Sequence, residues 1–392
     1  MEEAVIVSAV RTPIGSFNGT LSGVGATKLG AIVIEEAVKR AGIPKEEVNE
    51  CIMGNVLPCG YGQNPAKQAA VQAKMPWEVE CLTINKVCGS GLKAVMLAAQ
   101  AVQTGDADVV VAGGMESMSM APYYMDKARF GFRMGSGMIY DHMVHDGLWD
   151  VVNDFHMGES NEICSERYGV TREDQDRYAA ETYRRTLASI KAGKFEEEIV
   201  PVPITMKKGD HVLFTQDECP KETPYEVLAK MKPAFKEGGV GTAGNSSIIS
   251  DGAAAVVVTT PKKAEALGCR ILATIGAQAS AGIDMKYVLV APIWAIPKCL
   301  KKEGIGLGDV DLYEINEAFS GSTTAVLKEL ELDSGKVNVN GGAVAIGHPI
   351  GASGCRVLVT LLHEMKCRGK KTGLASSCLG GGEAVAMIVK LS

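Results

Sequence analysis

Eleven cysteines are spread over 392 residues without a single C-x-x-C pair, so a zinc knuckle or a thioredoxin-like motif is excluded. No convincing cluster of metal ligands stands out, and no metal is expected. A basic excess is also missing. The net charge is -6, which argues against non-specific nucleic-acid binding but leaves room for a local basic patch to hold one anionic ligand. No apolar run approaches the ~18–20 residues of a membrane span, so no membrane partner is expected. No secretory leader precedes the strand-like run Ala4 to Ala9. With the odd cysteine count, this gives the expectation of a reduced, cytoplasmic setting.

What is present points to a large α/β protein. Hydrophobic residues make up 46% of the chain, and there are 45 glycines, which suits two or three packed domains. The chain also repeats itself. Gly42-Ile43, followed by the strand-like Cys51 to Gly54, matches Gly304-Ile305, followed by Tyr313 to Asn316. Cys88-Gly89-Ser90-Gly91 lies over Gly351-Ala352-Ser353-Gly354, and Val109 to Gly114 lies over Thr372 to Ser377. Each half reads strand, helix, strand, helix, strand, which predicts a mostly parallel sheet covered by helices. After the last matched strand the first half carries an insertion, residues 118–247, with one clear helix near Arg172 to Ala192 and Thr171 as its N-cap. An insertion beside a strand end commonly serves a ligand.

The repeat places several chemically capable residues near strand C-terminal ends, the edge where open parallel sheets bind ligands. Cys88 opens the central helix of the first half. A free cysteine is often a small buried hydrophobe, but helix N-terminal amides stabilise a thiolate and lower its pKa. His348 sits between Gly347 and Pro349 in a turn before the equivalent helix. A neutral imidazole there can take a thiol proton and return it to a thiolate leaving group. Cys378 precedes Gly380-Gly381-Gly382; exposed amides there could bind an oxyanion, and an ordinary tight turn is the competing reading. Asn316 either caps a helix, holds a water or polarises a carbonyl. His142, His145, His211 and His363 lack such context and read as surface or packing residues. Cys51, Cys81 and Cys299 lie in apolar runs and read as core.

Taken together, these motifs resemble the thiolase family, in its biosynthetic branch. The resemblance spans the chain, from Arg11-Thr12-Pro13-Ile14-Gly15 and Gly62 to Gln68, through Ala112 to Ser119 and Asn316 to Ser320, to the His348 and Cys378 motifs. It implies a duplicated fold of two βαβαβ halves in five layers, α-β-α-β-α, with an inserted loop domain. The implied domains are 1–117 plus 248–268, 118–247 and 269–392. It also implies a reversible Claisen condensation of two acetyl-CoA to acetoacetyl-CoA and CoA through an acyl-cysteine.

In that resemblance Cys88 is the nucleophile, His348 its base and Cys378 the acid/base at the methyl carbon. The amides of Cys88 and Gly380 form one oxyanion hole, and His348 with an Asn316-held water forms the other. Leu148, His156, Met157, Phe235, Ala243, Ser247, Ala318 and Phe319 match residues along the pantetheine channel. Lys221 stands where many relatives place an arginine near the adenine, and lysine lacks the planar group for stacking. Met285 to Pro292 departs from the usual Met-Gly-x-Gly-Pro pattern near the acyl pocket. No cofactor is implied beyond the CoA thioesters, and the family is commonly a homodimer or homotetramer. The rivals are a degradative 3-ketoacyl-CoA thiolase, a decarboxylating ketoacyl synthase and a non-catalytic acyl-CoA carrier.

Overall fold

The computed structural model describes residues 2–205 and 211–391. Its main strands are β1 (Ala4–Arg11), β2 (Glu50–Gly54), β3 (Glu80–Ile84), β4 (Val109–Ser117), β5 (Ser250–Thr259), β6 (Ala273–Gly282), β7 (Leu312–Ile315), β8 (Thr372–Leu379) and β9 (Glu383–Lys390). Among the described residues they form one path in the order β7-β8-β9-β6-β1-β5-β4-β2-β3, with the short strand Gly15–Ser16 paired to β5. The first half runs β3-β2-β4-β5-β1. The second repeats it as β7-β8-β9-β6, and a parallel bridge between Tyr313 and Val337 stands where the fifth strand would be. The duplication therefore holds at the level of strand order.

The sheet is mixed, which corrects the expectation of a mostly parallel one. Between the main strands, parallel pairing is confined to β2 with β3, β2 with β4, and β7 with β8. The pairs β1–β5, β1–β6, β4–β5, β6–β9 and β8–β9 are antiparallel. The reason lies in the connections, because parallel neighbours need a crossover. Such crossovers run through α2 (Pro65–Gln72), α3 (Ser90–Thr104) and α8 (Ile350–Arg368). By contrast, β8 turns straight back into β9 at Gly381 and Gly382, both at positive φ, and tight returns make antiparallel pairs.

Three cores separate the layers. An outer core packs α1 (Ala26–Ala41) and α2 on the first-half strands. A central core places α3 and α8 between the strands of both halves. The other outer core packs α6 (Pro292–Glu303) and α7 (Ser320–Glu329) on the second-half strands. The layers therefore run α-β-α-β-α. Where α3 and α8 cross, the repeat supplies matched glycines. A Cβ on Gly91 would lie 2.7 Å from the Cys355 amide nitrogen, and one on Gly354 would lie 2.5 Å from that of Leu92. Neither position has room for a side chain, so the two helix starts approach backbone to backbone.

Between β4 and β5 the chain forms α4 (Met157–Tyr168) and α5 (Arg172–Lys191). Thr171 caps α5 in a capping box with Asp174. Helix α4 escaped the reading of one clear helix because its buried face is polar. Glu162 accepts from the Val240 and Gly241 amides, and Asn161 donates to Gln175. Apolar periodicity cannot reveal a face of that kind.

Candidate active site

The loop before α3 is tightly wound. Val87 adopts φ 45°, a left-handed conformation that is strained for a β-branched residue. Neighbouring polar groups hold it there. Asn85 Oδ1 accepts from the Val87 amide at 2.9 Å, while Ser90 Oγ accepts from the Lys86 amide at 2.8 Å and donates to the Val87 carbonyl at 2.7 Å. Lys86 pairs with Glu383 across the glycine turn. The result directs the Cys88 thiol at the backbone amide of Gly380 and at its own.

Burial pushes the Cys88 thiol up to about 12, against those two amides. The lowered pKa expected of a helix-opening thiol is therefore not found. Helix α3 begins only at Ser90, and desolvation of a thiolate outweighs what two amides return. Burial also pushes Cys378, near the end of β8, well above the ordinary thiol range, and the Cys88 sulfur adds to it. The same effect holds His348 down at about 3, with the positive charge of Arg356 contributing. The resting site thus holds two thiols and a neutral imidazole.

The imidazole's tautomer follows from its partners. Ser353 Oγ donates to the Pro349 carbonyl at 2.9 Å, so it accepts from His348 Nδ1 at 2.6 Å. That leaves the lone pair on Nε2, which lies 3.5 Å from Asn316 Nδ2. Asn316, directly after β7, keeps a buried Oδ1 that makes no hydrogen bond among the described residues.

Cys88, His348, Cys378 and Gly380 line one predominantly apolar cavity of about 150 Å³. Leu148, His156, Met157, Phe235, Ser247, Ala318 and Phe319 form part of its wall. Phe235 stacks on His156 with centroids 5.4 Å apart and meets Phe319 edge-on at 5.8 Å. Asn316 stands behind the wall, reached through His348. Lys221 and Ala243 are exposed and lie outside the wall. Val288 and Leu289, from the segment Met285 to Pro292, line the cavity and pack near Cys378. Among the described residues, no group of three or more His, Cys, Asp or Glu is placed to hold a metal ion, and no helix is long and apolar enough to cross a membrane.

Two features escaped sequence reasoning. Glu116 is fully buried on β4 beneath the site. Its carboxylate accepts from the amides of Val56 (2.9 Å), Leu57 (3.1 Å) and Gly351 (2.9 Å) and from Asn55 Nδ2 (2.6 Å). It thereby joins the first half to the start of α8. Burial raises it to about 7, against all four donors. A lone acid inside an otherwise apolar and small-residue strand was the available signal. The second feature is a shared partner of His142, which is buried, and His145, which is partly exposed, in keeping with their reading as packing and surface residues. Both pair with Asp146 on the turn Met143–Leu148, whose Gly147 and Leu148 enter the cavity. Cys81, expected in the core, is only half-buried, because β3 is the sheet's edge strand.

A family model described as thiolase, N-terminal domain, matches residues 4–262, and one described as thiolase, C-terminal domain, matches residues 269–391. The acetyl-CoA acetyltransferase of Cupriavidus necator is 53% identical over 391 residues, covering 100% of both chains. That of Pseudomonas aeruginosa is 52% identical over 388 residues, covering 99% of both. The crystal structure of the Bacillus anthracis acetyl-CoA acetyltransferase matches with a TM-score of 0.98 at 43% identity, covering 100% of this chain and 99% of that one.

Proposed function

The chain belongs to the thiolase family, and from that premise we propose that it is an acetyl-CoA C-acetyltransferase whose acyl carrier is Cys88. The observation that carries this reading is the meeting of Cys88, His348, Cys378 and Gly380 at one apolar cavity. The resting protonation states suit the cleavage direction. His348 Nε2 takes the Cys88 proton, and the sulfur attacks the 3-keto carbon of acetoacetyl-CoA. The bond between C2 and C3 breaks, its electron pair passes to the enolate of acetyl-CoA, and the Cys378 thiol protonates C2. CoA then attacks the acetyl-Cys88 carbonyl, giving its proton to the Cys378 thiolate, while the departing Cys88 sulfur recovers its own from His348. Condensation runs through the same steps backwards, with the Cys378 thiolate removing the methyl proton.

Fixed donors must meet the charge on each thioester oxygen. The amides of Cys88 and Gly380, which face the Cys88 sulfur, support one oxyanion hole. The free Oδ1 of Asn316 supports a water-holding role at the other. Leu148, His156, Met157, Phe235, Ser247, Ala318 and Phe319 would contact pantetheine, with Ala243 and Lys221 further out along CoA. The proposed ligands are acetyl-CoA, acetoacetyl-CoA and CoA, with no other cofactor. The proposed setting is cytoplasmic. The proposed state, a homodimer or homotetramer, is supported by exposed Phe130, Met134 and Met138 on the segment after β4.

Three experiments test this reading. Cys88→Ala is expected to abolish acetyl-enzyme formation from acetyl-CoA, and full exchange activity in that variant would sink the mechanism. Cys378→Ala should still exchange CoA at a reduced rate yet lose condensation altogether. Steady-state thiolysis of acetoacetyl-CoA against 3-ketohexadecanoyl-CoA reads chain length. A clear preference for the long substrate would instead indicate the degradative type.

A further inference from the structure

Helix α8 connects two concavities. Ile350 at its start lines the active-site cavity, whereas Leu362, His363 and Lys366 near its end line a second hollow of about 260 Å³. At 1.5 Å of rise per residue, about 20 Å of helix separates the two. The floor of the hollow is apolar. Leu362 is buried there, and Ile271, Leu272 and Leu391 are partly exposed beside it. The rim is basic. Arg270 comes from the segment before β6, Lys366 from the last turn of α8, and Lys370 and Lys371 from the turn into β8. Among the described residues, no acidic side chain lines it.

Four cations gathered at one hollow repel one another, and in a chain of net charge -6 they need a reason. Part of it is local. Lys366 sits at the negative end of the α8 dipole and pairs with Glu197 at 2.7 Å. Lys370 lies 3.9 Å from Asp311, whose carboxylate already accepts from the Lys371 and Thr372 amides at 3.0 Å. Arg270 and Lys371 have no such account. Among the described residues, neither side chain makes an ion pair or a hydrogen bond. We propose that the hollow binds a nucleoside polyphosphate, with its phosphates on Arg270 and Lys371 and its base on the apolar floor. The guanidinium fork matches phosphate oxygens two at a time, and the lysine adds a point charge. Lys366 and Lys370 raise the local potential for a multiply charged anion. The floor favours an anion that also carries a flat apolar body, which inorganic phosphate lacks. The site is separate from the cavity and does not depend on the reaction assigned to Cys88.

The test titrates the full-length protein with ATP at low ionic strength, by calorimetry, and repeats the titration on Arg270→Ala/Lys371→Ala. Both residues are exposed, so the double variant should keep its acetoacetyl-CoA thiolysis. Its affinity for ATP should fall about tenfold or more, the scale of lost charge-assisted contacts. Lys28→Ala/Lys301→Ala removes the same two charges from other exposed positions and should leave binding within about twofold. Tripolyphosphate should bind more weakly than ATP, because it leaves the floor uncovered. No detectable ATP binding would overturn the proposal. So would equal affinity in the Arg270→Ala/Lys371→Ala protein, the result expected if ATP merely occupies the CoA channel. Tripolyphosphate binding as tightly as ATP, or RNA or anionic vesicles binding in its place, would overturn it too.

Discussion

The starts of α3 and α8 occupy equivalent places in the two halves, yet they present opposite surroundings. The first carries Cys88 on a strained turn, with part of its surface open to the cavity. The second carries His348, only 6% exposed, beside a helix buried along most of its length. The contrast shows how a duplicated frame comes to serve one reaction. The half that must form a bond to the substrate keeps its reactive atom accessible. The half that moves protons holds its group rigid, with Ser353 fixing the tautomer and Asn316 standing at the free nitrogen.

Removing the rigid partner should show the largest effect. His348→Ala is expected to lower kcat by about 10²–10⁴-fold, the range for a lost general base. A loss below tenfold would mean that Cys88 is activated by some other group. The link between the halves comes next. Glu116→Gln places an NH2 against backbone donors that need an acceptor, and should destabilise the fold by about 2–4 kcal/mol in chemical denaturation. An unchanged denaturation midpoint would remove Glu116 as the joint.

Two pH experiments sharpen the contrast further. With Cys88 raised to about 12, its alkylation by iodoacetamide in the free protein should keep rising about tenfold per pH unit beyond pH 8. A plateau below pH 8 would reveal a thiolate–imidazolium pair at rest. His348 gives the smaller effect. Its folded value of about 3 lies below the ordinary 6.5, so between those values the folded state binds fewer protons than the unfolded one. Its contribution is complete above pH 6.5 and is lost as pH falls towards 3. Between pH 6.5 and 5 this amounts to roughly 2 kcal/mol, and His348→Ala should flatten the stability profile there. Identical profiles for both proteins would count against a buried neutral imidazole.

The alternation of strands and helices in each half and the convergence of Cys88, His348 and Cys378 were legible in the chain, because a duplication repeats its apolar runs and its glycine breaks at a fixed spacing. The mixed pairing of the sheet was not. Periodicity marks where strands are but not which way a neighbour runs, and that depends on whether a helix or a glycine turn makes the connection. Helix α4 stayed hidden because its interior face pairs polar groups. Glu116 did so because its four donors arrive from Asn55 to Leu57 and from Gly351.

By itself, then, the sequence determined which residue types carry the chemistry and which break before a helix each occupies. Their protonation states were decided only by the tertiary structure. A pKa depends on what displaces water around a group. At Cys88 and His348 that is the packing of two distant halves against each other, so a thiol expected to ionise easily is instead held neutral in the resting site.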